Sequence, residues 1–473
     1  MPPSPRYKPS AAHLALGNSF YDEVRAAVFP EHILRFRNQA AARQTGLETL
    51  DEAEWISHFG HFQPLPGTLE YPLALRYHGH QFRHYNPDLG DGRGFLFAQL
   101  YDLQDGRLLD LGTKGSGQTP WSRAGDGRLT LRGGVREVLA AGMLEALGVN
   151  TSRAFSLIET GEALQRHDEP SPARSSVLVR LSHSHIRIGT FQRLAALQDR
   201  PALEKLVAYV LETYFPQAAG TGDEAPAITL LRETTRRVAQ TGAQWMAAGF
   251  VHGVLNTDNI NITGESFDYG PWRFLPSWDD SFTAAYFDHS RLYAYGRQPE
   301  TLLWNLARLA ESLIELASYD DLVATLEQFP ALYHDALDRA WLRRLGLASR
   351  GAEKDRTLRE AVSVFLRASG MPFACFPFDW FGGGCRAEQA LQGPRASFYL
   401  SQDFAPLRAI LEEYTSASGI QTRTAFFARE APPDILTDTM DAIWTPIAKN
   451  DDWSVFYGFL NEIEKMKEAY SAP

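Results

Sequence analysis

The chain has 473 residues but only two cysteines, Cys375 and Cys385, and six methionines. Two cysteines cannot make a disulfide framework, which excludes a bridge-held secreted scaffold. A reduced, cytoplasmic setting is the simplest expectation, with both residues as buried thiols rather than metal ligands. No apolar run reaches 18 residues, so a helical membrane span is excluded. The opening segment lacks the apolar core of a secretory signal. An excess of positive charge is also missing: 46 Lys and Arg stand against 57 Asp and Glu, a net charge of −11. A protein that grips nucleic acid through its phosphates needs the opposite balance. A local basic pocket for a nucleotide is still compatible with this charge. Internal repeats are absent, which argues against a solenoid.

What is present is ordinary globular material, 44% hydrophobic and 22% charged, with ten Trp and 28 Phe. At about 150 residues per domain, the length corresponds to about three structural units. Residues 1–70 read as a helical extension around Trp55, Phe59 and Phe62. Residues 71–190 are rich in Gly and short apolar runs, a pattern of strands and turns. Strands are expected at 95–100, 107–111 and 177–181, with a shorter one at 186–188. A helix is expected at 135–147, ending at Gly148. From 191 to 473 the apolar spacing turns helical; Leu302, Leu306, Leu309 and Leu313 line one face. Residues 217–225 read as a loop between helices and 344–354 as a surface linker. The expected fold class is α+β, a mixed α/β lobe followed by a mainly helical one.

Four groups of residues carry possible chemistry. The stretch 111–128 contains Lys114, Asp126, Gly127 and Arg128 among many glycines. Such a loop lets backbone N–H groups approach phosphate. It lacks the Gly-Lys-Ser/Thr ending of a P-loop and reads equally well as a plain turn. Glu137 sits in an otherwise apolar helix, where an unpaired carboxylate is expensive. Lys114 is its candidate partner, as in the strand-Lys to helix-Glu pair of protein kinases. The residues alone leave open, and slightly favour, a Glu137 that faces solvent.

The third group is His252-Gly-Val-Leu-Asn-Thr-Asp-Asn259, followed by Asp268-Tyr-Gly270. His252 and Asn259 have the spacing of a kinase catalytic loop, and Asp268 stands where the second metal ligand of that fold belongs. The position of the usual catalytic Asp holds Val254, so the base must sit elsewhere, with Asp258 the nearest candidate. An Asn- and Asp-rich turn without chemistry is the bland alternative. The fourth group is Arg180 and Arg187, embedded in apolar sequence, where phosphate recognition and structural ion pairs are equally open. His78, His80 and His84 lack the acidic or Cys residue that would complete a zinc set.

These segments, with Tyr77-His-Gly-His-Gln-Phe82, Leu89-Gly-Asp-Gly-Arg93, Lys114-Gly-Ser-Gly-Gln-Thr-Pro-Trp121 and Gln298-Pro299 before Trp304-Asn-Leu306, resemble the selenoprotein O family of pseudokinase-fold protein adenylyltransferases. The likeness runs in order from about residue 70 to about 315. It implies a protein-kinase-like two-lobed fold that binds ATP flipped relative to kinases and transfers AMP to Ser, Thr or Tyr hydroxyls of proteins, this chain itself among the candidate acceptors, with release of pyrophosphate. By resemblance, Gly90, Gly92, Arg93, Lys114, Asp126, Gly127, Arg180, Arg187 and Asp268 line the nucleotide site. Asn259 and Asp268 hold Mg²⁺ (or Mn²⁺), Asp258 accepts the proton, and Lys114 pairs with Glu137. A divergent kinase that transfers the γ-phosphate, or a nucleotide-binding scaffold without turnover, are the alternatives. Neither a nucleic acid nor a membrane is expected as a partner. Residues 468–473 contain no cysteine, so the family's C-terminal redox feature is expected to be absent or altered.

Overall fold

The computed structural model describes residues 4–220 and 224–471. Its first part is built on an antiparallel sheet from β1 (Pro9–Ser10), β2 (Tyr21–Glu23), β3 (Ile33–Arg37), β4 (Leu73–Leu75), β7 (Leu96–Tyr101), β8 (Leu108–Lys114), β9 (Leu129–Thr130), β10 (Arg153–Leu164) and β11 (Ala173–Ser182). The strand order is β2-β4-β7-β8-β11-β10-β3, with β1 beside β7 and β9 beside β11. The hairpin of β5 (Gly79–Gln81) and β6 (His84–Asn86) stands apart from it.

Side chains alternate across a strand, so residues two apart share a face. Leu109, Leu111, Val177, Val179 and Leu181 point to a core closed by α1 (Gln39–Thr45) and α2 (Glu52–Phe59). In that core the indole of Trp55 stacks on Phe155 at 4.9 Å and donates to Ser156 Oγ at 2.9 Å. Leu108 and Leu178 face the other way, onto α3 (Leu131–Ala146) and the helical part. Lys114 and Arg180 share the parity of Leu108 and Leu178, and Leu178 pairs directly with Lys114 across β8 and β11. Strand parity alone therefore aims both cations at α3.

The helical part contains α4 (Ile188–Ala196), α5 (Arg200–Tyr214), α6 (Pro226–Ala248), α7 (Gln298–Ser312), α8 (Tyr319–Leu326), α9 (Phe329–Leu345) and α10 (Ala352–Ser369), then shorter helices. Between α6 and α7 lies a small hairpin of β12 (Phe250–His252) and β13 (Trp272–Phe274). The last two helices, Thr437–Asn450 and Ser454–Tyr470, return to the sheet. Asp451 between them accepts from Arg35 and Arg174, which also hold Glu159 on β10. Ile463 packs against Gly142 of α3.

Several sequence expectations need correction. Residues 1–70 are not a helical extension: three of their segments are strands, with β2 and β3 at the two ends of the sheet order. Short edge strands with mixed polarity carry no clear period, so the sequence pattern missed them. Residue 188 opens α4 rather than closing a strand. Arg344 is buried at the end of α9, with its guanidinium 5.0 Å from the Tyr470 ring, not in a surface linker. Cys385 is exposed, whereas Cys375 is buried. Part of the loop expected at 217–225 lies outside the described residues.

Candidate active site

Lys114 ends β8 with its ammonium buried, and its Nζ donates to Glu137 Oε1 at 2.6 Å and to Asp268 Oδ1 at 3.0 Å. Glu137 is therefore not solvent-facing. It lies on the buried side of α3, whose start is fixed by Thr130 Oγ1 accepting from Gly133 N at 3.1 Å. Removing either partner of such a buried pair leaves an uncompensated charge, at a cost of about 3–5 kcal/mol. Arg180 donates to the Phe267 carbonyl at 2.6 Å and lies 3.7 Å from Asp268 Oδ1. Burial pushes the Asp268 carboxyl up, but the charges of Lys114, Arg180 and Arg93 outweigh it and hold this group far below the usual carboxylate range. Asp268 is thus an anion at any working pH.

His252 sets the position of Asp268 from behind. Its Nε2 donates to the Asp268 carbonyl at 2.7 Å while Nδ1 accepts from Val254 N at 3.3 Å. Burial lowers its pKa to about 4, so the ring stays neutral and keeps this arrangement. The turn Thr257–Asn259 then presents Asp258 and Asn259. Asn259 Nδ2 donates to the Val254 carbonyl at 2.7 Å, which leaves its amide oxygen available to a cation. Asp258 Oδ1 is buried without a hydrogen-bond partner, and burial raises its carboxyl to about 6.

Arg187 precedes α4, between Asp91 and two rings. Its Nη2 lies 3.1 Å from Asp91 Oδ1, and its guanidinium sits 4.3 Å from the Tyr77 ring and 5.1 Å from that of Phe267. Four atoms in this region are buried without partners: Glu137 Oε2, Arg180 Nε, Arg187 Nε and Asp258 Oδ1. Buried polar atoms are rarely left unpaired, and two arginines and two carboxylates with free atoms make this the candidate ligand site. The donors suit phosphate. The Asn259 amide oxygen and the Asp268 carboxylate are oxygen ligands of the kind Mg²⁺ or Mn²⁺ takes alongside substrate phosphates.

Gly90, Gly92 and exposed Arg93 lie on the turn before β7, and the Arg93 charge reaches Asp268. A Cβ at Gly90 would fall 2.4 Å from the Trp121 ring, so the 115–128 loop needs a bare backbone there. Gly90→Ala is expected to destabilise the protein by about 1–3 kcal/mol through overpacking. A thermal melt checks this, and an unchanged melting temperature would remove the packing role. Gly127 has φ +71 and abuts Gly117, which closes the same loop. Asp126 is not drawn into the buried cluster: its carboxylate is half exposed and binds Arg166 at 2.8 Å.

Sequence reasoning placed Gln298, Asn305 and the 77–82 segment in motifs but did not foresee that they hold the Thr257–Asn259 turn. Gln298 accepts from His252 N at 2.9 Å and donates to the Phe250 carbonyl at 3.0 Å. Asn305 donates to the Leu255 carbonyl at 2.9 Å. Thr257 Oγ1 accepts from His80 N at 2.7 Å, and Asn256 Oδ1 from Phe82 N at 3.2 Å and Tyr293 OH at 2.5 Å. The 77–82 segment is thus a backrest for the turn. His78 and His80 bond Tyr85 and Gln192. Asp91 was also missed as the partner of Arg187; a carboxylate between two glycines in the 89–93 motif was the available signal.

The family profile described as protein adenylyltransferase SelO matches residues 5–464. The chain belongs to this family. The likeness extends well beyond 70–315 on both sides. Protein nucleotidyltransferase YdiU of Synechocystis sp. is 43% identical, over 95% of this chain and 96% of its own length. Its counterpart in Gloeobacter violaceus is 44% identical, over 97% and 95%. A looser likeness is to ROP2 of Toxoplasma gondii, described as a virulence factor with a protein-kinase fold and no enzymatic activity. It is 12% identical over 72% of this chain and 83% of its own, with a TM-score of 0.24. The activity of this family is adenylyl transfer to protein, with ATP as donor. No helix among the described residues is long and apolar enough to cross a membrane.

Proposed function

We propose that this adenylyltransferase binds ATP between the sheet and the catalytic turn, with the α-phosphate rather than the γ-phosphate toward the acceptor. The observation that carries this reading is the Lys114–Glu137–Asp268 network beside a carboxylate, Asp258, that is displaced from the usual base position held by Val254. The hydroxyl oxygen of a protein Ser, Thr or Tyr attacks the α-phosphorus. Asp258, with an oxygen free of other partners, takes the hydroxyl proton. The bond from the α-phosphorus to the bridging oxygen breaks, and pyrophosphate leaves with that electron pair. Lys114, Arg180 and Arg187 face the phosphates and stabilise the charge that develops on the leaving group. Asn259 and Asp268 would hold Mg²⁺ or Mn²⁺, which neutralises phosphate charge when bound. Arg93, Gly90, Gly92, Asp126 and Gly127 form the outer wall of the nucleotide site. The free thiols of Cys375 and Cys385 fit a reducing cytoplasm.

Parallel incubation of the protein and an acceptor with α-labelled and γ-labelled ATP tests this. Label is expected on protein only from the α-position, with the modified hydroxyl located by mass spectrometry. Label only from the γ-position would make the protein a kinase, and label from neither would make it a scaffold; either result overturns the proposal.

A further inference from the structure

A second basic cavity lies away from the nucleotide site. It has a volume of about 490 Å³ and is bounded by the turn before β8, the end of α3, α6, α9 and the C-terminal helix. Arg107, Arg237, Arg343 and Lys467 line it, against one carboxylate, Glu145. The chain as a whole carries −11, so this concentration of cations is local.

These cations are poorly matched by protein acids. Among the described residues, the only hydrogen bond of Arg343 is to the Gly148 carbonyl, at 3.2 Å, and no carboxylate pairs with it. Arg237 Nε is buried without a partner, and its nearest carboxylate, Glu233, is 3.8 Å away. Glu145 is shared between Lys467 at 3.1 Å and Arg153 at 3.3 Å. Arg107 is the exception, bonded to Asp105 at 2.7 Å. Burial lowers the pKa of both Arg237 and Arg343, the sign of cations taken from water without full compensation.

Neutral donors complete the wall. Gln244 Oε1 accepts from Asn150 N at 2.8 Å, which leaves the Gln244 NH₂ group free to donate. Thr263 and His183 also line the cavity. Among the described residues, no aromatic ring other than His183 does so, and none forms a broad apolar wall to stack a nucleobase. The size is that of a small-molecule site, larger than one phosphate needs.

We propose that this cavity binds a condensed phosphate chain, held by the guanidinium groups of Arg237 and Arg343 and by the ammonium of Lys467. Two sources share this chemistry: free inorganic pyrophosphate or tripolyphosphate, and the phosphate tail of a nucleotide. None of the lining residues belongs to the nucleotide site described above. The inference therefore stands whichever phosphate of ATP is transferred there.

The test is calorimetric titration of the full-length protein, with the nucleotide site first filled by one molar equivalent of a non-hydrolysable ATP analogue and Mg²⁺, so that no excess analogue occupies the cavity. Tripolyphosphate is expected to bind once per chain and to bind more weakly as NaCl is raised, because the contacts are ionic. Arg237→Ala with Arg343→Ala is expected to weaken it by about tenfold or more. Gln244→Glu keeps the acceptor for Asn150 and adds a negative charge with little change in shape. It is expected to weaken binding while leaving basal AMP transfer from ATP unchanged. Pyrophosphate binding tighter than ADP would identify the free ion as the ligand, and the reverse a nucleotide tail; both support the site. Absence of binding with the nucleotide site filled, equal affinity in these variants, or equal binding of AMP and tripolyphosphate would overturn it.

Discussion

Asp268→Ala is expected to lower the rate of AMP transfer by on the order of 10³-fold or more, with little loss of fold. The carboxylate is the anion on which Lys114 and Arg180 converge, at 3.0 and 3.7 Å, and in the proposed reading it is one of two oxygen donors for the metal. Without it, Lys114, Arg180 and Arg93 lose the carboxylate they share, and in the proposed reading the cation loses its charged ligand. The Asp268 side chain is a quarter exposed and Glu137 still pairs with Lys114, so its removal opens no core cavity and should lower the melting temperature less than removal of Glu137 would. Incorporation of α-labelled AMP into an acceptor, measured with a thermal melt, separates the two effects. Transfer at the wild-type rate would refute the assignment of Asp268 to the metal and phosphate site.

Asp258→Asn should have a comparable effect on turnover and a different effect on binding. The substitution keeps the size and polarity of the side chain but removes its capacity to take a proton. A missing general base costs about 10²–10⁴-fold in rate. No hydrogen bond or ion pair joins Asp258 to Lys114, Arg180 or Asp268, which bond one another, so the affinity for ATP should change by no more than about threefold. Single-turnover rates and equilibrium ATP binding distinguish the outcomes. A large loss of binding with normal turnover would make Asp258 a nucleotide-binding residue rather than the proton acceptor.

Much of this site was legible because its motifs are local. The seven-residue spacing of His252 and Asn259, Val254 where an Asp is usual, and a later Asp-Tyr-Gly lie within one short stretch whose backbone geometry is set by neighbours in sequence. Strand alternation carried Lys114 to the correct face of the sheet. The residues alone left the Glu137 pairing open, because a lone carboxylate in an apolar helix is consistent with solvent or with a partner; the family resemblance named Lys114, and the 2.6 Å contact bears it out. The partner is decided by the angle at which α3 crosses the sheet. The same holds for the roles of Gln298 and Asn305, whose bonds to His252 and Leu255, just before the Thr257–Asn259 turn, span 46 and 50 residues.

By itself, the sequence determined which residue types are available for phosphate, metal and proton transfer, and in what order, because side-chain chemistry and short spacings do not depend on packing. Only the tertiary structure decided which of them meet. Lys114 reaches Asp268 across 154 residues. The first 70 residues supply strands at both ends of the sheet order rather than a separate extension. The basic cavity beside α6 and α9 draws its cations from segments more than 300 residues apart. The physical reason is that burial of apolar faces sets how helices and sheet stack. Charges distant in the chain come together as a consequence of that stacking, and no spacing along the sequence records it.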